Sequence, residues 1–355
     1  MNGLSTLGFG PFFEEQLERL GSSTRIPARI AAEHRGGFEV WSEASVGAAR
    51  LSGKLRHESI TAAVGDWVLL REAPTPQYVT VIDHLFDRRT VFTRGSAGRQ
   101  ARAQIVAANI DQVFVVCGLD GDYSLHRIER YLARIWASGA APAVVLNKAD
   151  LCDDVSTRVR DVERNAPGVP VLVTRALAAD GLPALASTIL PGSTAAFVGS
   201  SGTGKSTLIN ALVGADKMAT GTTMEGDGRG RHTTTHRQLV ALPLGGLLLD
   251  TPGMREFQLV DEDGLSQVFG DVDALATACR YRDCQHEQEP GCAVREAIQL
   301  GSLTTERFQH YHHLRKEAQS YELRQDEKAR RQADRAFGRF IHTAMRTHKR
   351  HDGEP

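Results

Sequence analysis

Residues 194–213 read TAAFVGSSGTGKSTLINALV, and this stretch decides the fold of the central part of the chain. An apolar run, TAAFV, passes directly into Gly199-Ser200-Ser201-Gly202-Thr203-Gly204-Lys205-Ser206 and then into STLINALV, whose apolar residues recur at helical spacing. Strand, glycine-rich turn and helix are the context that G-x-x-x-x-G-K-[ST] needs before it counts as a phosphate-binding loop. The glycines let successive backbone N–H groups curl around α- and β-phosphates at a helix N-terminus, where the dipole favours negative charge. Lys205 is then placed for the β- and γ-phosphates and Ser206 for Mg²⁺, with Thr207 next in the nucleotide-binding run.

Outward from this loop, the apolar runs DQVFVVCGL, PAVVLNK and PVLVTRA come before it, alternating with helical stretches such as HRIERYLARIWASG. LVALPL and GLLLD come after it and read as a hairpin. Over residues 105–262 this predicts a mostly parallel sheet with helices on both faces. Asn147-Lys148-Ala149-Asp150 ends the run PAVVL and fits the guanine-reading element. Asp150 accepts from N1–H and the 2-amino group, which adenine does not offer together; Asn147 fixes base and loop, and the stem of Lys148 covers the ring. Asp250-Thr251-Pro252-Gly253 fits the element that supports Mg²⁺ through Asp250 and senses the γ-phosphate through the Gly253 N–H.

The order of these elements is base-reading, phosphate-binding, γ-phosphate-sensing, a rotation of the usual one, so a circular permutation is inferred. Between the last two, GDGRGRHTTTH at 226–236 is the natural switch segment, and Thr234 is the threonine chosen for Mg²⁺. Met254 stands where a water-orienting glutamine is usual, and a thioether cannot orient water. His232 is the candidate catalytic group in its place, with Arg255 a weaker one for charge stabilisation.

Cys279-x4-Cys284-x-His286-x5-Cys292 supplies three thiols and one imidazole in a short span. This is the ligand set of a closed tetrahedral Zn²⁺ site, structural because no coordination position is left for water or substrate. Beyond it, helical text from about Leu303 to Met345 is rich in Lys and Arg, including Arg315, Lys316 and Arg324. At the other end, residues 1–24 read as a short amphipathic arm, and 25–95 as five short strands, PARIAAEHR, FEVWSE, GAARLSGKLR, GDWVLL and YVTVIDHLF. Five strands suggest an OB-fold β-barrel. Trp41, Lys54, Arg56 and Tyr78 are available to nucleic acid there, though the aromatics read first as core. A loop, TRGSAGRQARAQ, links barrel to sheet.

The expected fold is thus multidomain α/β: arm 1–24, OB barrel 25–95, permuted P-loop GTPase domain 105–262, and zinc-binding helical domain with basic tail 263–355. The 42 Lys+Arg against 43 Asp+Glu give no global field that announces a polyanion, so any basic surface is local. Five cysteines are too few and too uneven for a disulfide framework. No membrane span and no signal-like start are read, and the expectation is a soluble, cytoplasmic protein.

These motifs together resemble the ribosome small subunit-dependent GTPase A family of bacteria. The resemblance rests on the OB-like segment, NKAD, GSSGTGKS, GRGRHTTT, DTPG and the CxxxxCxHxxxxxC cluster. It implies a GTP hydrolase with GTP/GDP, Mg²⁺ and one structural Zn²⁺. It further implies binding to the small ribosomal subunit and its 16S-type rRNA late in maturation, stimulation by that subunit, and His232 in place of the usual glutamine. A monomer is expected. Where the family usually reads Ser-Ala, this chain has Thr174-Arg175-Ala176. The competing readings are an ATPase or small-molecule kinase, weakened by NKAD, and a non-catalytic OB-plus-zinc RNA-binding module liganded by GTP.

Overall fold

The computed structural model describes residues 3–21, 24–95, 103–214, 237–250, 263–320 and 323. The chain divides into two compact units, Met1–Gln258 and Leu259–Pro355.

The first unit opens with a 3₁₀ turn, Leu4–Leu7, and helix α1, Pro11–Leu20, which Pro11 starts at its first position and a left-handed Gly21 closes. Phe9 and Phe13 pack with Trp67, Leu69 and Phe86, so the arm is a packing element. Strands β1 (Ile26–His34), β2 (Gly37–Ser42) and β3 (Val46–Leu51) form a meander. Helix α2 (Gly53–His57), β4 (Trp67–Leu70) and β5 (Thr80–Leu85) follow. β3 pairs parallel with β5, β5 antiparallel with β4, and β4 antiparallel with β1, which closes the five-stranded barrel in the OB manner. Ala28, Ile30, Val40, Val68, Leu70 and Ile82 fill it.

Three expectations are corrected here. The end of the third run, SGKLR, is α2 rather than strand, because the Ser52 hydroxyl accepts from Leu55 N at 3.4 Å and starts a helical turn. The aromatics read as core are not: Tyr78 is 46% exposed and Trp41 is half-buried. The expected linking loop is in part a hairpin, β6 (Val91–Gly95) against β7 (Ala103–Ala108), with 96–102 outside the described residues.

Strands β8 (Gln112–Gly118), β9 (Ala141–Asn147), β10 (Val171–Val173), β11 (Thr194–Val198), β12 (Gln238–Ala241) and β13 (Leu247–Asp250) then lie in the order β10-β9-β8-β11-β13-β12. All neighbours are parallel except the hairpin β12–β13. Helix α3 (Leu125–Ala137) packs on β8 and β9, and α4 (Val155–Asn165) beside it on β10. Helices α5 (Leu182–Thr188) and α6 (Lys205–Val213) contribute Leu185, Leu208, Ile209 and Val213 to a core with Phe114, Val145 and Phe197.

The barrel and the sheet are continuous: β12 pairs with β1 at Ala32↔Gln238, flanked by Arg237 Nη1 and Glu33 Oε2 at 3.5 Å. Arg29, on β1, is buried at the junction and donates to Leu7 O (2.5 Å), Gly65 O (3.2 Å) and Asn109 O (2.8 Å). Burial lowers its pKa to about 10, which leaves it charged at neutral pH.

The second unit is helical among its described residues. It has α7 (Asp263–Val268), α8 (Gly270–Ala276), α9 (Ala293–Gln299) and a helix over 305–320. From the last, Arg307 grips Asp271 through two bonds of 2.6 and 2.7 Å, and Tyr311 donates to Asp273 at 3.1 Å. Among the described residues no helix is long and apolar enough to cross a membrane.

Candidate nucleotide site and metal centre

The chain runs from β8 to β9 and β10 on one side, then returns to β11 on the other side of β8. Segments leaving the carboxyl ends of β8 and β11 therefore diverge, and the crevice between them is where open α/β sheets bind ligands. The segments at its rim are 118–124 after β8, 147–151 after β9, 174–178 after β10 and 199–204 after β11.

Gly199, Gly202 and Gly204 have φ of 142°, 82° and 94°, a region that side chains with a Cβ rarely adopt. A Cβ on Gly204 would also collide with the Asn147 amide. The turn ends at the first residue of α6, so it stands at a helix N-terminus. The loop is closed on itself: Thr203 Oγ1 donates to Ser200 O at 3.1 Å, and Lys205 Nζ donates to Ser200 O and to Thr203 Oγ1. Lys205 thus holds its ammonium among oxygens of its own loop, where a phosphate oxygen can replace them.

Asn147 is buried at the end of β9. Its Nδ2 donates to Thr203 O at 2.9 Å, while its Oδ1 accepts from Thr174 Oγ1 at 3.0 Å and Ala176 N at 3.1 Å. One amide therefore joins the phosphate-binding loop to the Thr174-Arg175-Ala176 segment. Lys148 is left-handed, with φ of 62°, and its ammonium pairs with Asp120. Ala149 N–H reaches Thr174 O at 3.3 Å, and Asp150 stands exposed at the rim, free of the strand behind it.

Sequence reasoning missed three groups at this crevice. Asp120 partners Lys148; Arg127, on the first turn of α3, donates to Asp122 Oδ1 at 2.5 Å and to Ser200 Oγ at 2.7 Å. Burial pushes the Asp120 carboxyl up, but the Lys148 hydrogen bond and charge and the backbone N–H groups of Asp122 and Asp120 together leave it below its ordinary value. The available signal was weak: acidic residues just past the carboxyl end of an apolar strand.

The backbone of Asp250 ends β13, next to β11, which brings it to the same edge of the sheet. Its side chain lies outside the described residues, as do Gly253, Thr234, His232, Met254 and Arg255.

In the second unit, Cys279, Cys284, His286 and Cys292 present donor atoms all within 4.8 Å of one another. Cys279 Sγ lies 3.9 Å from Cys292 Sγ, and His286 Nδ1 lies 3.6 and 3.4 Å from the two sulfurs. Tetrahedral Zn²⁺ with its usual bond lengths requires about 3.8 Å between sulfurs and about 3.6 Å between sulfur and nitrogen. Three of the four donors therefore stand at tetrahedral spacing, and the fourth, Cys284, lies within 4.8 Å of each of them. Burial holds the His286 imidazole below its ordinary pKa, so it is neutral and able to ligate. Burial raises the Cys279 thiol, but the backbone N–H groups of Val294 and Ala293 together with the Cys292 and Cys284 thiols leave it below its ordinary value, while burial pushes Cys284 up to about 11. His286 itself is left-handed, with φ of 63°, and the Glu289 carboxylate accepts from Gln285, Glu287 and Gln288 N–H groups, which shapes the loop around it.

Comparison with known proteins agrees with this arrangement. A family model described as RsgA GTPase matches residues 85–260. A small ribosomal subunit biogenesis GTPase, RsgA 2 of Vibrio parahaemolyticus, is 46% identical over 317 residues, covering 89% of this chain and 86% of its own length. The small ribosomal subunit biogenesis GTPase RsgA of Opitutus terrae is 43% identical over 363 aligned positions, covering 99% of both chains. Among solved structures, YjeQ from Thermotoga maritima superposes with a TM-score of 0.64 at 27% identity, over 83% of this chain and 98% of its own. YloQ, described as a circularly permuted GTPase, shares the fold with a TM-score of 0.62 at 23% identity, over 84% of this chain and 96% of its own.

Proposed function

We propose that this chain, which belongs to the RsgA GTPase family, hydrolyses GTP in the course of small ribosomal subunit biogenesis. Membership in a GTPase family sets aside the non-catalytic reading and the kinase reading. The observation that carries the nucleotide assignment is the Asn147 amide, which fastens the base-reading loop to the phosphate-binding loop although the two come in reversed chain order.

In this reading Asp150 accepts from the guanine edge and the Lys148 stem covers the ring. Backbone N–H groups of 199–206 surround the α- and β-phosphates, and Lys205 leaves Ser200 and Thr203 for the β- and γ-phosphates. Ser206, Asp250 and Thr234 hold Mg²⁺, which neutralises charge on the phosphates. Gly253 N–H registers the γ-phosphate, and His232 orients the attacking water, a role that Met254 cannot fill. Cys279, Cys284, His286 and Cys292 hold one structural Zn²⁺.

The small subunit is the partner, and we assign rRNA contact to the barrel 25–95 and to the zinc domain 263–355. Lys54, Arg56 and Tyr78 support the first assignment, being exposed on one barrel. A monomer is supported by the sheet's edge strand β10, which spans three residues and is too short to template a partner strand. The setting for such work is the cytoplasm.

Co-sedimentation with purified ribosomal subunits tests the partner. The chain loaded with a non-hydrolysable GTP analogue is expected to pellet with small subunits and not with large ones, and to leave them with GDP. Equal retention on both subunits would contradict the assignment.

A further inference from the structure

The segment 118–124, GLDGDYS, belongs to none of the nucleotide motifs, yet it touches two of them. At its start, Leu119 N–H donates to Asn147 O at 2.8 Å, which seats the segment against the base-reading loop. Asp120 then pairs through Oδ2 with the Lys148 ammonium. Its Oδ1 accepts from Asp122 N at 3.3 Å, so the carboxylate is held from both sides. Gly118 makes room for it: a Cβ there would lie 2.7 Å from Asp120 Oδ1. At its far end the segment is pinned again, since Asp122 holds Arg127 and Arg127 holds Ser200 of the phosphate-binding loop.

We propose that Asp120 is a positioning residue for guanine binding, fixing Lys148 so that its stem forms one wall of the base pocket before the nucleotide arrives. The inference rests on the assignment of 147–150 as the base-reading loop. A lysine stem is among the most freely rotating side chains, and ordering it on binding costs free energy that an ordered stem has already met. Asp120 supplies that order. It touches neither base nor phosphate, and its carboxylate stays on the ammonium at the stem's end, leaving the methylenes for the ring. The left-handed backbone of Lys148 directs the side chain toward the β8 end rather than along its own strand, and Asp120 is the acid that meets it. Because both partners are about 30% exposed, the pair is partly screened and its effect is modest.

The test uses the full chain and a fluorescent GDP derivative, with turnover measured in parallel. Asp120→Asn is expected to raise Kd for GDP and for GTP by the same factor, about three- to fivefold. The maximal turnover rate stays unchanged, and Asp120→Glu restores most of the affinity. The gap between wild type and Asp120→Asn is expected to narrow as salt rises. An unchanged Kd, or a lower turnover rate at unchanged Kd, overturns the proposal. Asp150→Asn separates the two levels: if it keeps wild-type GDP affinity, the base-reading assignment itself has failed, whereas its loss of binding beside an unaffected Asp120→Asn refutes the role of Asp120 alone.

Discussion

The Asn147 amide ties together loops whose residues lie 27, 29 and 56 positions away in the chain. Asn147→Ala would leave the Thr203 carbonyl and the Thr174 hydroxyl without this partner in a buried place, at about 1–3 kcal/mol each. It is expected to weaken GDP binding by roughly a hundredfold, about 2.7 kcal/mol, while the barrel and the zinc unit keep their folds. Titration with fluorescent GDP and a thermal melt check both halves of this statement. The type of residue at 147 was legible in the sequence because NKAD is a short, local pattern after an apolar run. Its partners were not, since nothing local links Thr174 or Thr203 to it. Asp120 and Arg127 were invisible for the same reason: their roles arise from the switch point between β8 and β11, which is a property of strand order.

Among the elements, β1 has the most duties, serving the barrel on both edges and meeting β12 at its end. Arg29 fixes it by donating to carbonyls of the arm, the barrel and the entry to the nucleotide domain. Arg29→Ala is expected to destabilise the first unit by about 3 kcal/mol or more, because buried carbonyls lose their donors. Chemical denaturation followed by intrinsic fluorescence reads this, Trp67 lying under the Arg29 guanidinium at 5.6 Å. The five barrel strands and the alternating sheet were readable from apolar runs broken by turns. The hairpin β6–β7 was not, because SAGRQAR between its strands is polar and masks their alternation. Helix α2 was read as strand because five residues are too few for helical periodicity to show.

For the molecule as a whole, the permutation leaves a familiar site intact, since it depends on which strand ends are neighbours and not on their order in the chain. The candidate metal centre belongs to the other unit, where the segment 279–292 joins α8 to α9 and supplies all four donors. Removing Zn²⁺ with a strong chelator is expected to cost the second unit its helical order, because metal binding and folding are coupled in so small a module. GDP affinity, which depends on the first unit, is expected to survive. Circular dichroism with metal release by a colorimetric dye, alongside GDP titration, checks the separation.

A guanine-nucleotide hydrolase governed by the small ribosomal subunit has one plain signature in solution. That signature is read as phosphate release from GTP by the purified chain, alone and with isolated small or large subunits, with ATP and Lys205→Ala as controls. Release is expected to be slow alone and strongly stimulated by small subunits only, confined to GTP and abolished by Lys205→Ala. Equal stimulation by large subunits, or release that persists in Lys205→Ala, would contradict it.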